Sequence, residues 1–197
     1  MLMLHGFNGE LANWDDVWKR LADEPCDARR VRLDLPGFGG SDWNSEDYGL
    51  SAQAARVIEF MDTLGIEEAT LIGTSMGGSL AAWLAAEYPT RIRQRLLLAP
   101  SGYPGSLYYP GFYGALVKPG LLNQVTTWIA RTGLYRAAFP RSKALQALTV
   151  TAGYGQLWAD ALARIEAPTV VAWSAAISGS GRRTLHEWRA PSPTAGS

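Results

Sequence analysis

The sequence predicts an α/β fold: one parallel β-sheet with helices on both of its faces. Two observations carry this. Short apolar runs alternate with amphipathic stretches over the first hundred residues, and strands that alternate with helices build βαβ units and a parallel sheet. The runs "TLIG" (70–73) and "LLLA" (96–99) also have the continuous apolar character of strands buried on both sides.

Each element follows in order. "MLMLHG" is a strand that ends in a turn. "ELANWDDVWKRLAD" carries Leu11, Trp14, Val17, Trp18 and Leu21 at helical spacing. "RVRLDLPG" is a strand stopped by Pro36-Gly37. "LSAQAARVIEFMDTLG" is a helix, with Ser51 read as its cap and Gly65 as its stop. "EATLIGTS" is a strand. "MGGSLAAWLAAEYP" is a helix that ends before Pro89. "RQRLLLAP" is the next strand.

Residues 101–157 break this rhythm with Pro104, Pro110, Pro119, Pro140 and many aromatics. Helical patterns over about 119–131 and 142–152 read as an inserted helical lid. The alternation resumes with a helix near 157–165 and the strand "APTVVAW". The expected organisation is therefore a first core part (1–100), a lid (101–157), a last core helix and strand (158–174) and an irregular or disordered tail (175–197). The tail, rich in Ser, Gly, Arg, Ala and Pro, shows no periodicity.

Composition narrows the function classes. Hydrophobic residues make up 47% of the 197 and charged residues 18%, the balance of a packed globule. A formal net charge of zero gives no attraction to nucleic acid or to an anionic membrane surface. Cys26 is the single cysteine, so an internal disulfide and a cysteine zinc cluster are both excluded. No signal-peptide pattern and no run of transmembrane length is visible, and the expected location is cytoplasmic.

The stretch "LIGTSMGGSL" (71–80) carries chemistry. Ser75 stands between Gly73 and Gly77, where a strand meets a helix. A nucleophile on such a sharp turn needs glycines where strand and helix approach closely. The helix from Met76 points backbone N–H groups and its positive dipole end at the serine, where an oxyanion is stabilised. A glycine-flanked serine in an ordinary turn is the plainer reading, and the strand–helix context argues against it. P-loop and dinucleotide patterns do not fit the same glycines.

Two further stretches stand in order with it: "LMLHGFNG", with His5-Gly6-Phe7 at a strand end, and "DLPGFGGSD" (34–42). With "GTSMGG" they make residues 1–174 resemble the α/β-hydrolase superfamily. The resemblance implies Ser75 as nucleophile and the backbone N–H groups of Phe7 and Met76 as the oxyanion hole. His5, Gly6, Gly73 and Gly77 would support the turns, with His5 distinct from the triad histidine. Asp34 and Asp42 would be structural groups of their turn. It further implies hydrolysis without a cofactor or metal. The aromatic and cationic lid suggests a small apolar or aromatic, ester-like or ketone substrate. The implied sheet order is "RVRLDLP", "MLMLHG", "ATLIGT", "RLLLA", "TVVAW".

The family order of the triad is serine, acid, histidine. The loops "SAAISGSGRR" and "SGYPGS" contain no acid. Asp160 falls on a helix, and Glu166 falls at the wrong end of its strand. His186 is the sole histidine after Ser75; it lies in the tail and reads as a solvated residue. Glu187 beside it is badly placed to orient it. No triad acid is found, and the triad histidine is unassigned. The chain also reads as cut at both ends relative to the family, with a tail that resembles an out-of-frame sequence. Two readings follow: a serine hydrolase of ester or carbon–carbon bonds with impaired activity, and a non-catalytic remnant with at most ligand binding. The missing strands would leave Val31–Leu35 and Thr169–Trp173 as apolar sheet edges that favour self-association.

Overall fold

The computed structural model describes residues 1–25, 27–42, 48–101, 125, 128, 163–173 and 184–188. The strands are β1 (Leu2–Leu4), β2 (Val31–Leu33), β3 (Ala69–Thr74), β4 (Ile92–Leu98), β5 (Thr169–Trp173) and β6 (Thr184–Trp188). The helices with described bounds are α1 (Asp15–Ala22), α2 (Leu50–Thr63) and α3 (Met76–Glu87). A 3-10 turn, Leu11–Trp14, leads into α1. The sheet order is β2-β1-β3-β4-β5-β6, with five parallel strands in the expected sequence and an antiparallel β6.

The period-2 alternation of strands assigns the two faces. Leu2, Leu4 and Leu71 point to the face covered by α2 and α3, in one core with Val57, Met61, Leu80 and Leu84. Met3 and Ile72 point the other way, against Trp14, Trp18 and Leu21 of the first helical segment. All three residues of β1 are fully buried, which is why "LML" shows no polar alternation. Each such buried aliphatic side chain contributes roughly 1.5–3 kcal/mol. On α1 the half-buried Trp18 and Leu21 face inward while Val17 of the expected stripe is exposed, and Arg32 of β2 sits 4.8 Å over the Trp18 ring while pairing with Asp15. Helix α3 differs: Ala, Leu and Gly on nearly every side are buried, so it runs through the core.

Three expectations are corrected. Helix α2 starts at Leu50 with Gly49 as N-cap, so Ser51 is an exposed residue of the first turn. Residues 184–188 are a strand rather than irregular tail. Thr169–Trp173 is therefore not a sheet edge, because β6 hydrogen-bonds to its outer side. The physical reason is pairing: β5 offers an unpaired row of N–H and C=O groups, and five residues with Thr, Leu and Trp suffice to satisfy it. Such a segment needs no continuous apolar run, so composition alone missed it. The lid lies outside the described residues except for Ser101 and the exposed helical positions Val125 and Trp128.

Glycines set the closest approaches. A Cβ at Gly77 would collide with the Leu4 and His5 carbonyls, and one at Gly73 with the Gly77 carbonyl. Gly65, which ends α2 at φ +65, faces open space. Gly77→Ala is expected to cost about 3 kcal/mol, the upper range of overpacking. Gly65→Ala is expected to cost about 1 kcal/mol, the left-handed penalty alone. Urea unfolding of the two variants checks the difference; equal costs would contradict the close packing at Gly77.

Candidate active site

The turn between β3 and α3 places Ser75 at the carboxyl end of the sheet. Its backbone stands at φ 50, ψ −116, a conformation costly for a residue with a side chain. The turn is held from both sides. Ser75 N–H donates to the Leu98 carbonyl at 2.9 Å, and Ser79 N–H donates to the Ser75 carbonyl at 3.1 Å. Helix α3 begins at Met76, so its first N–H groups lack intrahelical acceptors beside the serine.

The turn after β1 abuts this serine. A Cβ on Gly6 would stand 3.3 Å from Ser75 Cβ and 3.4 Å from the Thr74 carbonyl oxygen. Gly9 N–H donates to the Gly6 carbonyl at 3.0 Å, closing a tight turn with Asn8 at φ 60. Phe7 lies inside that turn, its ring edge-on to Phe38 at 5.7 Å.

His5 is fully buried and fixed by the neighbouring turn. Leu35 N–H donates to its Nε2 at 3.0 Å, so the proton resides on Nδ1 and is donated to the Gly6 carbonyl at 2.8 Å. Both ring nitrogens are thereby committed, and Phe38 packs edge-on at 5.4 Å. Burial pushes the imidazole below its ordinary pKa, against smaller opposing effects from the Gly6 carbonyl, Asp34 and Glu10.

Asp34 ties two loops together. One oxygen accepts Leu11 N–H at 2.6 Å and the other accepts Gly40 N–H at 2.9 Å. Its backbone carbonyl accepts the Ser41 hydroxyl at 2.6 Å. Gly39, at φ +50, leaves the room that this carboxylate fills. Asp42 is exposed, and its carbonyl accepts Gly37 N–H at 2.8 Å.

The structure thus brings Ser75, Met76, Gly73, Gly77, Gly6, Phe7 and His5 into one cluster. Other residues stay away from it. Glu166 is exposed before the amino end of β5. His186 pairs with Val171 on β6. It is separated from β3 by β4 and β5, roughly 14 Å at about 4.8 Å per strand. A triad requires hydrogen-bond contact, and that span exceeds the combined reach of a serine and a histidine. Asp160 lies outside the described residues. Sequence reasoning passed over Ser79 and Ser101, which meet behind the Ser75 carbonyl. The available signal was a serine one helical turn beyond Ser75, in an otherwise apolar helix. Among the described residues, no group of three His, Cys, Asp or Glu side chains is arranged to hold a metal, and no helix is long and apolar enough to cross a membrane.

Known proteins share this frame. The family model for the alpha/beta hydrolase fold matches residues 1–175. The dihydrolipoyllysine-residue acetyltransferase component of the acetoin cleaving system from Cupriavidus necator is 38% identical over 68% of this chain and 36% of its own. Monoacylglycerol lipase abhd6-A from Xenopus laevis is 37% identical over 56% of this chain and 32% of its own. A 2-hydroxy-6-oxo-6-phenylhexa-2,4-dienoate hydrolase from Burkholderia cepacia is 37% identical over 56% of this chain and 39% of its own. The matched stretch spans about a third of the length of these curated relatives. A crystal structure of a hydrolase from Pseudomonas aeruginosa superimposes with a TM-score of 0.61 at 23% identity, covering 88% of this chain and 71% of that one, a likeness of fold.

The His5 geometry fixes a pH dependence. Its pKa is depressed on folding from an ordinary value of 6.5. Below that value the unfolded chain binds a proton that the folded chain resists, so stability falls as pH drops from 6.5 towards the depressed pKa. Urea midpoints between pH 7.5 and 5 should decline, and His5→Gln should flatten the decline attributable to this group. An identical slope in the variant would contradict the neutral, buried His5.

Proposed function

The chain belongs to the α/β-hydrolase fold family, and from that premise we propose that it carries the nucleophile and oxyanion half of a serine hydrolase. The observation that carries the proposal is Ser75 at φ 50 on the turn that opens α3, with the Gly6–Gly9 turn against it. Ser75 Oγ attacks a substrate carbonyl carbon. The oxygen that gains charge is met by the N–H groups of Met76 and Phe7. Collapse of this intermediate breaks the ester or carbon–carbon bond, and the leaving group takes up, through solvent water, the proton that the Ser75 hydroxyl gives up on attack. Water then cleaves the acyl-enzyme to a carboxylic acid and free Ser75. His5 supports the turn and takes no proton from Ser75, since both its nitrogens are engaged.

Small apolar or aromatic substrates fit this reading, and no cofactor or metal takes part in it. The lipase and the dienoate hydrolase named above support the two bond types. A lid over residues 101–157 belongs to the same proposal. Self-association, in turn, belongs to the proposal through the terminal strands β2 and β6 of the sheet, no longer through β5.

A second reading is favoured by a specific observation. His186 sits on β6, and the loops after β4 and β5 contain no acid in the sequence. On that reading the site binds a ligand without turnover. Fluorophosphonate labelling and p-nitrophenyl ester hydrolysis separate the two. Without an assembled triad, an oxyanion hole and binding leave roughly 10³–10⁴-fold acceleration over water. Ser75→Ala should abolish both signals, and His186→Ala should leave them unchanged. Labelling and hydrolysis by the intact chain no faster than by Ser75→Ala would give the site to the binding reading, and activity that survives in Ser75→Ala would overturn Ser75 as the nucleophile. A hundredfold loss in His186→Ala would place the histidine in the site after all.

A further inference from the structure

The carbonyl of Ser75 is held more firmly than an ordinary first helical turn requires. It accepts Ser79 N–H, the usual intrahelical bond, and also Ser101 N–H from the segment leaving β4, each at 3.1 Å. The Ser79 hydroxyl lies 3.3 Å from the same carbonyl. Ser79 is fully buried in a helix whose neighbouring positions are Gly, Leu and Ala. A hydroxyl there must be compensated by hydrogen bonds. The Ser79 hydroxyl finds its acceptor in the Ser101 carbonyl and stands 3.0 Å from the Ser101 hydroxyl. One proton and two lone pairs satisfy this arrangement: Ser79 donates to the carbonyl and accepts from the Ser101 hydroxyl.

We infer that Ser79 and Ser101 are positioning residues that clamp the Ser75–Met76 peptide and so aim the Met76 N–H. The peptide is planar and trans, so fixing its C=O direction fixes the opposed N–H direction. The clamp is needed because Ser75 holds a strained φ, ψ pair. Rotation about its ψ would relieve strain and swing this same peptide. The intrahelical bond comes from α3 alone and moves with it. The bond from Ser101 comes from outside the helix and opposes that rotation, and the Ser79 hydroxyl keeps Ser101 in place. This inference rests on the proposed role of Ser75 and adds the residues that keep its oxyanion donor aligned.

The test uses the full chain, its Ser79→Ala, Ser101→Ala, Ser101→Thr and Ser75→Ala variants, a p-nitrophenyl ester and a fluorophosphonate. A misplacement on the order of 1 Å can cost about a hundredfold. Ser79→Ala should therefore lower kcat and the labelling rate by about 10- to 100-fold with KM little changed, the signature of an interaction made in the transition state. The Met76 amide resonance should shift in the same variant. Ser101→Ala, at a half-buried position, should do the same in weaker form, and Ser101→Thr should restore both readouts. Should Ser79→Ala fail to fold, the Ser101 pair decides. An unchanged rate together with an unmoved Met76 resonance overturns the clamp. Full activity in Ser75→Ala overturns the nucleophile instead, and the Met76 resonance then still decides whether the peptide is clamped.

Discussion

The contact on which the rest depends is the bare crossing of α3 over β1 and β3. At Gly77 the helix backbone lies against the carbonyls of Leu4 and His5, and at Gly73 the strand backbone lies against Gly77. No side chain fits in either place. The approach lets α3 enter the core, where Leu80, Ala81, Leu84 and Ala85 lose nearly all contact with water. It also forces the chain to turn within one residue between Thr74 and Met76. Ser75 takes that bend and is held there by the packing on both sides. The strain is local, and the surrounding apolar burial sustains it.

A set of polar ties joins the turns at the same end of the sheet. His5 links β1 to the turn after β2 through Leu35 N–H. Asp34 links that turn to the start of the first helical segment through Leu11 N–H, and to its own glycine bend through Gly40 N–H. Each tie gives a buried or half-buried backbone group a partner that the sheet ladder cannot supply. Together they hold the Gly6–Gly9 turn against Ser75. The proposed site of backbone N–H groups would have few rotatable parts of its own, so its precision would come from such ties rather than from side-chain conformers.

The proposed nucleophile Ser75 and the turn against it depend on β1, β3 and α3, all built from the first hundred residues. Here β6 runs antiparallel to β5 and carries His186 at the level of Val171. Antiparallel pairing directs the chain back towards the amino end of β5, away from the edge where Ser75 stands. The sheet order therefore sets His186 two strands beyond β4, away from Ser75.

Hydrophobic periodicity and the glycine spacing determined much of this protein by themselves. The short apolar runs in β1, β3 and the second half of β4, bounded by turn residues, read as buried strands, and the spacing of Trp14, Trp18 and Leu21 reads as one apolar face of a helical segment. The family resemblance carried by "HGF", "DLPGFGG" and "GTSMGG" implied the parallel sheet order, and the glycine-flanked strand–helix junction located Ser75. Sequence did not determine the edges or the polar detail. A five-residue strand such as Thr184–Trp188 is decided by the open hydrogen-bonding edge of β5, which no local pattern encodes. The N-cap of α2 fell at Gly49, in extended backbone, rather than at Ser51, and Gln53 N–H donates to the Gly49 carbonyl. The meeting of Ser79 with Ser101, 22 positions apart, exists because β4 ends beside the first turn of α3. Periodicity reports which face of each element is apolar; only the packed arrangement of several elements decides which polar groups meet.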